Sequence, residues 1–382
     1  MSSLLAQVRP VSLLRRALSS KPWYVVLYVT SHCNQRCNMC FLWRSLNTLK
    51  RSEEWSLEEI ERMADRLPDL YQLTLTGGEP TLRQDLADII EIFYRRAGVR
   101  RITIPTNGYY PDRIAALVDR VSVSCPDLIL SINMSIDGIG ETHDRIRGVP
   151  GSFARLQESY GAVRDRQRDN PRLFLATASV ITVSNSHEVP ALLEWVRDNM
   201  SIAAHGLMLA RGEVRSPEGE AGTTDLFIEN MLLLRRMART DARVGEAIVD
   251  QLTQSRIDTL RQQRMADPCL AGKKLLIIDE RANVLPCEIL KVLASQGLTD
   301  APELGDFSLG NLREWDFDLD GMLNSPRAGA IREFVGDNRC WCTFECAQIN
   351  NFVLNPQAYF RTLARVVTGQ PAVARGPIRS ST

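Results

Sequence analysis

Between residue 22 and residue 212 the chain repeats one pattern six times: a short apolar run stops at a polar or glycine break, and helical periodicity follows. The runs are Trp23–Val29, Leu73–Thr76, Ile102–Pro105, Leu128–Ile136, Leu173–Ile181 and Ile202–Ala210. Strands separated by helices cannot join as hairpins, so they pair in parallel with the helices crossing over. The first helix announces itself: Ser56-Leu57-Glu58-Glu59 is a capping box, and Leu57, Ile60, Met63, Ala64 and Leu67 recur at helical spacing. Leu86–Tyr94 continues as a second helix. The expected fold is α/β, a partial (β/α)6, TIM-like barrel, with an open doubly wound sheet as the competing layout. In such folds chemistry gathers where the strands end.

Over 382 residues, 44% hydrophobic and 24% charged, the chain excludes wholesale disorder. Lys+Arg and Asp+Glu each total 46, a balance that argues against a nucleic-acid or anionic-membrane coat. No apolar run reaches the ~20 residues of a membrane span, and the chain reads as cytoplasmic. The opening MSSLLAQVRPVSLLRRALSS carries Arg9, Arg15 and Arg16 and no acid, as a transit peptide would, but a short amphipathic helix leading into the first strand is the preferred reading. The expected organisation is an N-terminal extension (1–21), the barrel (22–215), a helical connection (216–265), a small cysteine-rich domain (266–350) and a C-terminal tail (351–382).

The nine cysteines stand at 33, 37, 40, 125, 269, 287, 340, 342 and 346. In a reducing compartment such groups point to metal or redox centres rather than disulfides. Cys33-x3-Cys37-x2-Cys40 follows directly after the first strand. Three thiolates at this spacing can hold three corners of a cubane iron–sulfur cluster and leave its fourth iron open. A structural zinc site, with His32 as fourth ligand, is the competing reading on spacing alone. Cys125, before Pro126, reads as a buried small hydrophobe.

With Gly77-Gly78-Glu79-Pro80 at the end of the next strand, the ordered motifs resemble those of the radical S-adenosylmethionine (SAM) superfamily. There the glycine–glutamate–proline edge holds the SAM ammonium, which the resemblance transfers to Gly77, Gly78, Glu79 and Pro80; a carboxylate suits such a partner. Thr106-Asn107-Gly108 is similar to the family's third-strand turn, which brings in Asn107. Ser135-Ile136-Asp137-Gly138 with His143-Asp144-x2-Arg147-Gly148 resembles a block of members with extra clusters. It implies that Ser135 and Arg147 hold the SAM carboxylate and that Asp137 lies near the ribose. Met39 stands where the family usually has an aromatic residue near the adenine. The later cysteines, with Asp279–Pro286 and Gly310-Asn311-Leu312, resemble a twitch or SPASM extension. Five thiols suit one auxiliary four-iron cluster, with Cys269, Cys287 and Cys346 as the firmer ligands and Cys342 ahead of Cys340. A zinc ribbon is the alternative for this set.

The resemblance implies a [4Fe-4S] cluster on Cys33, Cys37 and Cys40, SAM at its open iron, and hydrogen abstraction from an unactivated C–H bond. It also implies an external electron donor such as flavodoxin or ferredoxin. A small-molecule substrate is expected, because a leader-binding domain of the kind peptide-maturing members carry has no room before Cys33. A peptide substrate with a separate leader-binding partner, and a non-catalytic iron–sulfur or zinc scaffold, are the alternatives.

Overall fold

A computed structural model describes residue 19 and residues 21–237, 243–297 and 299–368. The amphipathic N-terminal stretch and the last part of the expected tail lie outside the described residues.

The six expected strands form at β1 (Tyr24–Thr30), β2 (Gln72–Gly77), β3 (Arg101–Thr106), β4 (Ile129–Ser135), β5 (Leu173–Ile181) and β6 (Ala204–Leu209). Each pairs in parallel with the next. Between them run α1 (Leu57–Asp65), α2 (Leu86–Arg96), α3 (Pro111–Ser124), α4 (Glu141–Arg147), α5 (Ser152–Gln167) and α6 (Val189–Asn199). The capping box forms, Ser56 accepting from Glu59 N and Glu59 from Ser56 N. Helices α1 and α2, α2 and α3, and α3 and α5 pack side by side as the chain winds in one direction. The fold is α/β with a mostly parallel sheet wound as a partial barrel; the doubly wound alternative would put helices on both faces.

Strand periodicity divides the side chains between two faces. Val25, Leu27, Leu73, Leu75, Ile104 and Ile132 are buried in the main core, while Tyr24, Tyr28, Thr74, Thr76, Ser131 and Asn133 line an interior chamber.

The 216–265 stretch is helical, as α7 (Thr224–Met237) and α8 (Arg243–Gln262). Then β7 (Leu275–Ile278), β8 (Asn283–Leu285) and β9 (Gly310–Asn311) extend the barrel sheet, in the order β6-β5-β4-β3-β2-β1-β7-β8-β9. β7 pairs in parallel with β1, from Tyr24↔Leu275 to Leu27↔Ile278, and β8 and β9 follow antiparallel. All seven residues of β1 are buried, so the strand needs a partner on each edge to satisfy its backbone. The cysteine-rich part thus shares a sheet and a core with the barrel. It continues through α9 (Glu288–Ser295), α10 (Leu319–Leu323), α11 (Pro326–Gly336), α12 (Glu345–Leu354) and α13 (Pro356–Thr368). No helix among the described residues is long and apolar enough to cross a membrane.

Candidate active site

The loop after β1 carries Cys33, Cys37 and Cys40 to the C-terminal end of the sheet. It is held by backbone rather than by side chains alone. Arg36 N donates to Arg147 O and Asn38 N to Ile146 O, each at 3.0 Å, so the end of α4 serves as a template for the loop. Asn47 clamps its base, accepting from Cys33 N at 3.1 Å and donating to Cys33 O at 3.2 Å. Burial pushes the Cys33 thiol up to about 12 and the Cys40 thiol up to about 11. Burial also raises Cys37, against the opposing pull of the Arg147 guanidinium. Thiols in such surroundings stay protonated until a metal replaces the proton.

The turn after β2 docks on this loop. Gly78 N donates to Thr30 O at 2.8 Å and Glu79 N to His32 O at 2.7 Å. A Cβ on Gly78 would collide with the His32 carbonyl, so this glycine is required by the close approach of two backbones. Glu79 is buried at 2% exposure. Its Oε1 accepts from Thr81 N at 3.1 Å and from the Thr81 and Thr106 hydroxyls at 2.7 Å. Its Oε2 accepts, among the described residues, from Asn107 N alone, at 2.7 Å, which leaves that oxygen room for a ligand donor. Burial raises the Glu79 carboxyl despite these bonds, so a cationic partner would favour its ionised form. Asn107 also donates to Asn34 Oδ1 at 2.8 Å, tying the third-strand turn to the cysteine loop.

Arg147 is paired with Asp137, and its Nη1 lies 3.7 Å from Cys37 Sγ. Burial works against its charge, but Asp137 and Cys37 outweigh it and the guanidinium remains charged. Asp137 Oδ1 accepts from Val180 N at 2.7 Å, which fixes the carboxylate between β4 and β5. Cys33, Cys37, Met39, Cys40, Gly77, Gly78, Glu79, Asn107, Ser135 and Arg147 all line one chamber of about 1380 Å³. Asp137 and Pro80 are not in its wall. Asp137 stands behind Arg147 as its counter-ion, and Pro80 starts a buried turn. Met39 packs with Ile146 and Ala210, and Phe41 joins it in the wall.

The later cysteines divide between two places. Cys269, Cys287, Cys340 and Cys342 border a second, small cavity, whereas Cys346 lines the large chamber. Among the described residues no three thiol, imidazole or carboxylate groups converge closely enough to share one ion. The donor set of the cysteine loop suits a cluster: it offers three free thiols on one loop, and His32 is engaged with Glu54 at 2.9 Å.

Several chamber residues carry no motif. Arg211, just after β6, bridges Glu288 at 3.0 Å and Glu345 at 2.9 Å, and the Tyr28 hydroxyl donates to Glu288 at 2.7 Å. His205 lies between the Thr177 and Ser179 hydroxyls, and burial lowers its pKa to about 4. Two signals were available in the sequence: polar residues alternating inside buried strands (Thr74 and Thr76; Ser131, Asn133 and Ser135), and acids directly beside cysteines (Cys287-Glu288, Glu345-Cys346).

Residues 27–196 match the model of the radical SAM superfamily. That stretch, a little under half of the chain, is similar to the radical SAM superfamily. Its similarity to GTP 3',8-cyclase of Haemophilus influenzae (strain PittEE) is 27% identity over 238 residues, 57% of this chain and 64% of that protein. Fe-coproporphyrin III synthase of Methanosarcina barkeri is 29% identical over 192 residues, 50% of this chain and 44% of that protein. The matched stretch is thus less than two thirds of either curated relative. In fold, the chain is similar to Streptococcus suis SuiB bound to S-adenosylmethionine. The TM-score is 0.57 at 18% identity, covering 85% of this chain and 71% of SuiB. SuiB has also been crystallised with its precursor peptide SuiA.

Proposed function

We propose that this protein is a radical SAM enzyme that opens an unactivated C–H bond of a small molecule. The observation that carries the reading is the convergence on one chamber of the cysteine triad, the Gly77–Glu79 edge, Ser135 and Arg147. When bound, a [4Fe-4S] cluster with one iron free of protein ligand, together with SAM, supplies a 5′-deoxyadenosyl radical for hydrogen abstraction. Cys33, Cys37 and Cys40 would hold the cluster. Glu79 Oε2 would accept from the SAM ammonium, and Arg147, kept charged and aimed by Asp137, would pair with its carboxylate beside Ser135. The barrel wall orients both partners and excludes water from the reactive centre.

Single-ligand pockets typically span about 300–1000 Å³. At about 1380 Å³ the chamber has room for SAM and one further small molecule. A peptide substrate is the second reading, favoured by the likeness in fold to SuiB, whose precursor peptide is known. Cysteines of the C-terminal part would hold an auxiliary cluster that handles the substrate or its electron, and a one-electron donor protein such as flavodoxin or ferredoxin would reduce the triad's cluster.

Anaerobic reconstitution tests the reading. The protein should take up about eight irons as two four-iron clusters and release 5′-deoxyadenosine from SAM under a strong reductant. Changing Cys33, Cys37 and Cys40 together to Ala should halve the iron and abolish SAM cleavage. Stoichiometric zinc without visible absorption would sink it.

A further inference from the structure

The C-terminal part has five cysteines where one cubane needs four. Cys269, Cys287, Cys340 and Cys342 surround the same small cavity, with Leu290, Val335 and Ala347 between them. Cys346 lies apart from them. Its Sγ accepts from the Tyr24 hydroxyl at 3.2 Å, inside the barrel, and that hydroxyl also meets Thr74 Oγ1 at 2.9 Å.

Helix geometry explains the separation. Cys340 and Cys342 are in irregular chain before α12, whereas Cys346 is in its first turn. Side chains three and four residues apart share a helix face. Cys346, Ile349, Asn350 and Val353 line the chamber, while Ala347 borders the small cavity. Asn350 points independently to a ligand. It is 2% exposed, it lines the chamber, and its Oδ1 accepts from Trp23 Nε1 while its Nδ2 has no partner among the described residues. Asn133 on β4 also lines the chamber, and its Oδ1 has no partner among the described residues. Nearby, Arg211 pairs with Glu288 and Glu345, and Arg256 lies 3.8 Å from Glu345, while Arg211 Nε and Glu345 Oε1 have no hydrogen-bond partner among the described residues.

We propose that Cys269, Cys287, Cys340 and Cys342 hold the auxiliary cluster, and that Cys346 is a free thiol facing the substrate. It shares with Asn350 the α12 face that meets a hydrogen-bonding molecule. This rests on the radical SAM reading above and departs from the sequence expectation, which put Cys346 among the ligands and Cys340 last.

Two measurements on the anaerobically reconstituted full chain test it. Iron and acid-labile sulfide should be unchanged in Cys346→Ser and fall by about half in Cys340→Ser and in Cys342→Ser. In the unsubstituted protein, iodoacetamide followed by peptide mass mapping should modify Cys346 while the four ligands stay protected; this arm needs no variant to fold. Loss of half the iron in Cys346→Ser, together with protection of Cys346 in the parent, would overturn the assignment while leaving the radical SAM reading standing. A parent protein that takes up no iron on the triad would overturn both.

Discussion

Glu79 shows why single residues at this site cannot be judged by charge alone. It accepts from two backbone amides and two hydroxyls, so truncation to Ala would strand four buried donors. Glu79→Gln keeps most of the shape and removes the charge. SAM affinity should fall ten- to a hundred-fold, since a charge-assisted contact is worth about 1.5–3 kcal/mol, with cluster iron unchanged. Arg147→Ala should do the same, and Asp137→Asn should weaken SAM through Arg147 although Asp137 is outside the chamber wall. Equilibrium binding of SAM to reconstituted protein checks all three. The histidines set a pH dependence. Burial lowers His143 from 6.5 to about 3 and His205 from 6.5 to about 4. Below pH 6.5 the unfolded chain binds protons that the folded chain refuses, so stability falls as pH drops from 6.5 toward 4 and below. The decline of Tm over that window should be shallower in His143→Asn, which has no such proton to gain.

At the scale of elements, the decisive contact is between two turns, the cysteine loop after β1 and the glycine turn after β2. Gly78→Ala would drive a methyl group into the His32 carbonyl, while Gly98, at φ 68°, has nothing within 4 Å of an added Cβ. Gly98→Ala should therefore cost only the left-handed backbone strain, about 1–2 kcal/mol. Gly78→Ala should displace the loop and lower triad iron as well. Comparing iron content with urea midpoints for the two variants separates the local clash from general destabilisation. The capping box and the strand centres were legible because they depend on near neighbours in sequence. The docking of α4's C-terminus on the cysteine loop was not, because Arg36–Arg147 and Asn38–Ile146 are backbone bonds that carry no side-chain signature.

For the whole molecule, the C-terminal part is coupled to the barrel through β7. Leu276 has no exposure and its strand completes the edge of β1, which leads directly into Cys33. Leu276→Ala should destabilise the full chain by about 2–5 kcal/mol. Because sheet and core are shared, the loss should appear as a shift of one unfolding transition rather than of a separate C-terminal one. Denaturation of the apo protein followed by tryptophan fluorescence and by far-UV circular dichroism should give coincident curves, both displaced.

Local patterning determined much of this protein. Alternating strand and helix signals required a parallel sheet, the capping box placed α1, and the three-cysteine loop and Gly77-Gly78-Glu79 stood out as the two turns that the structure brings to one chamber. The capping box, the strand periods and the glycine turn are carried by residues close in sequence, whose spacing reflects backbone period and turn chemistry. Only tertiary structure decided what distant segments share. It put β7 against β1, turned Asp137 away from the chamber to back Arg147, assembled Arg211, Glu288 and Glu345 from three separate segments, and parted Cys346 from Cys342 across the start of one helix. The reason is physical: a strand edge, a buried charge and a helix face each need a partner, but the sequence records only the need.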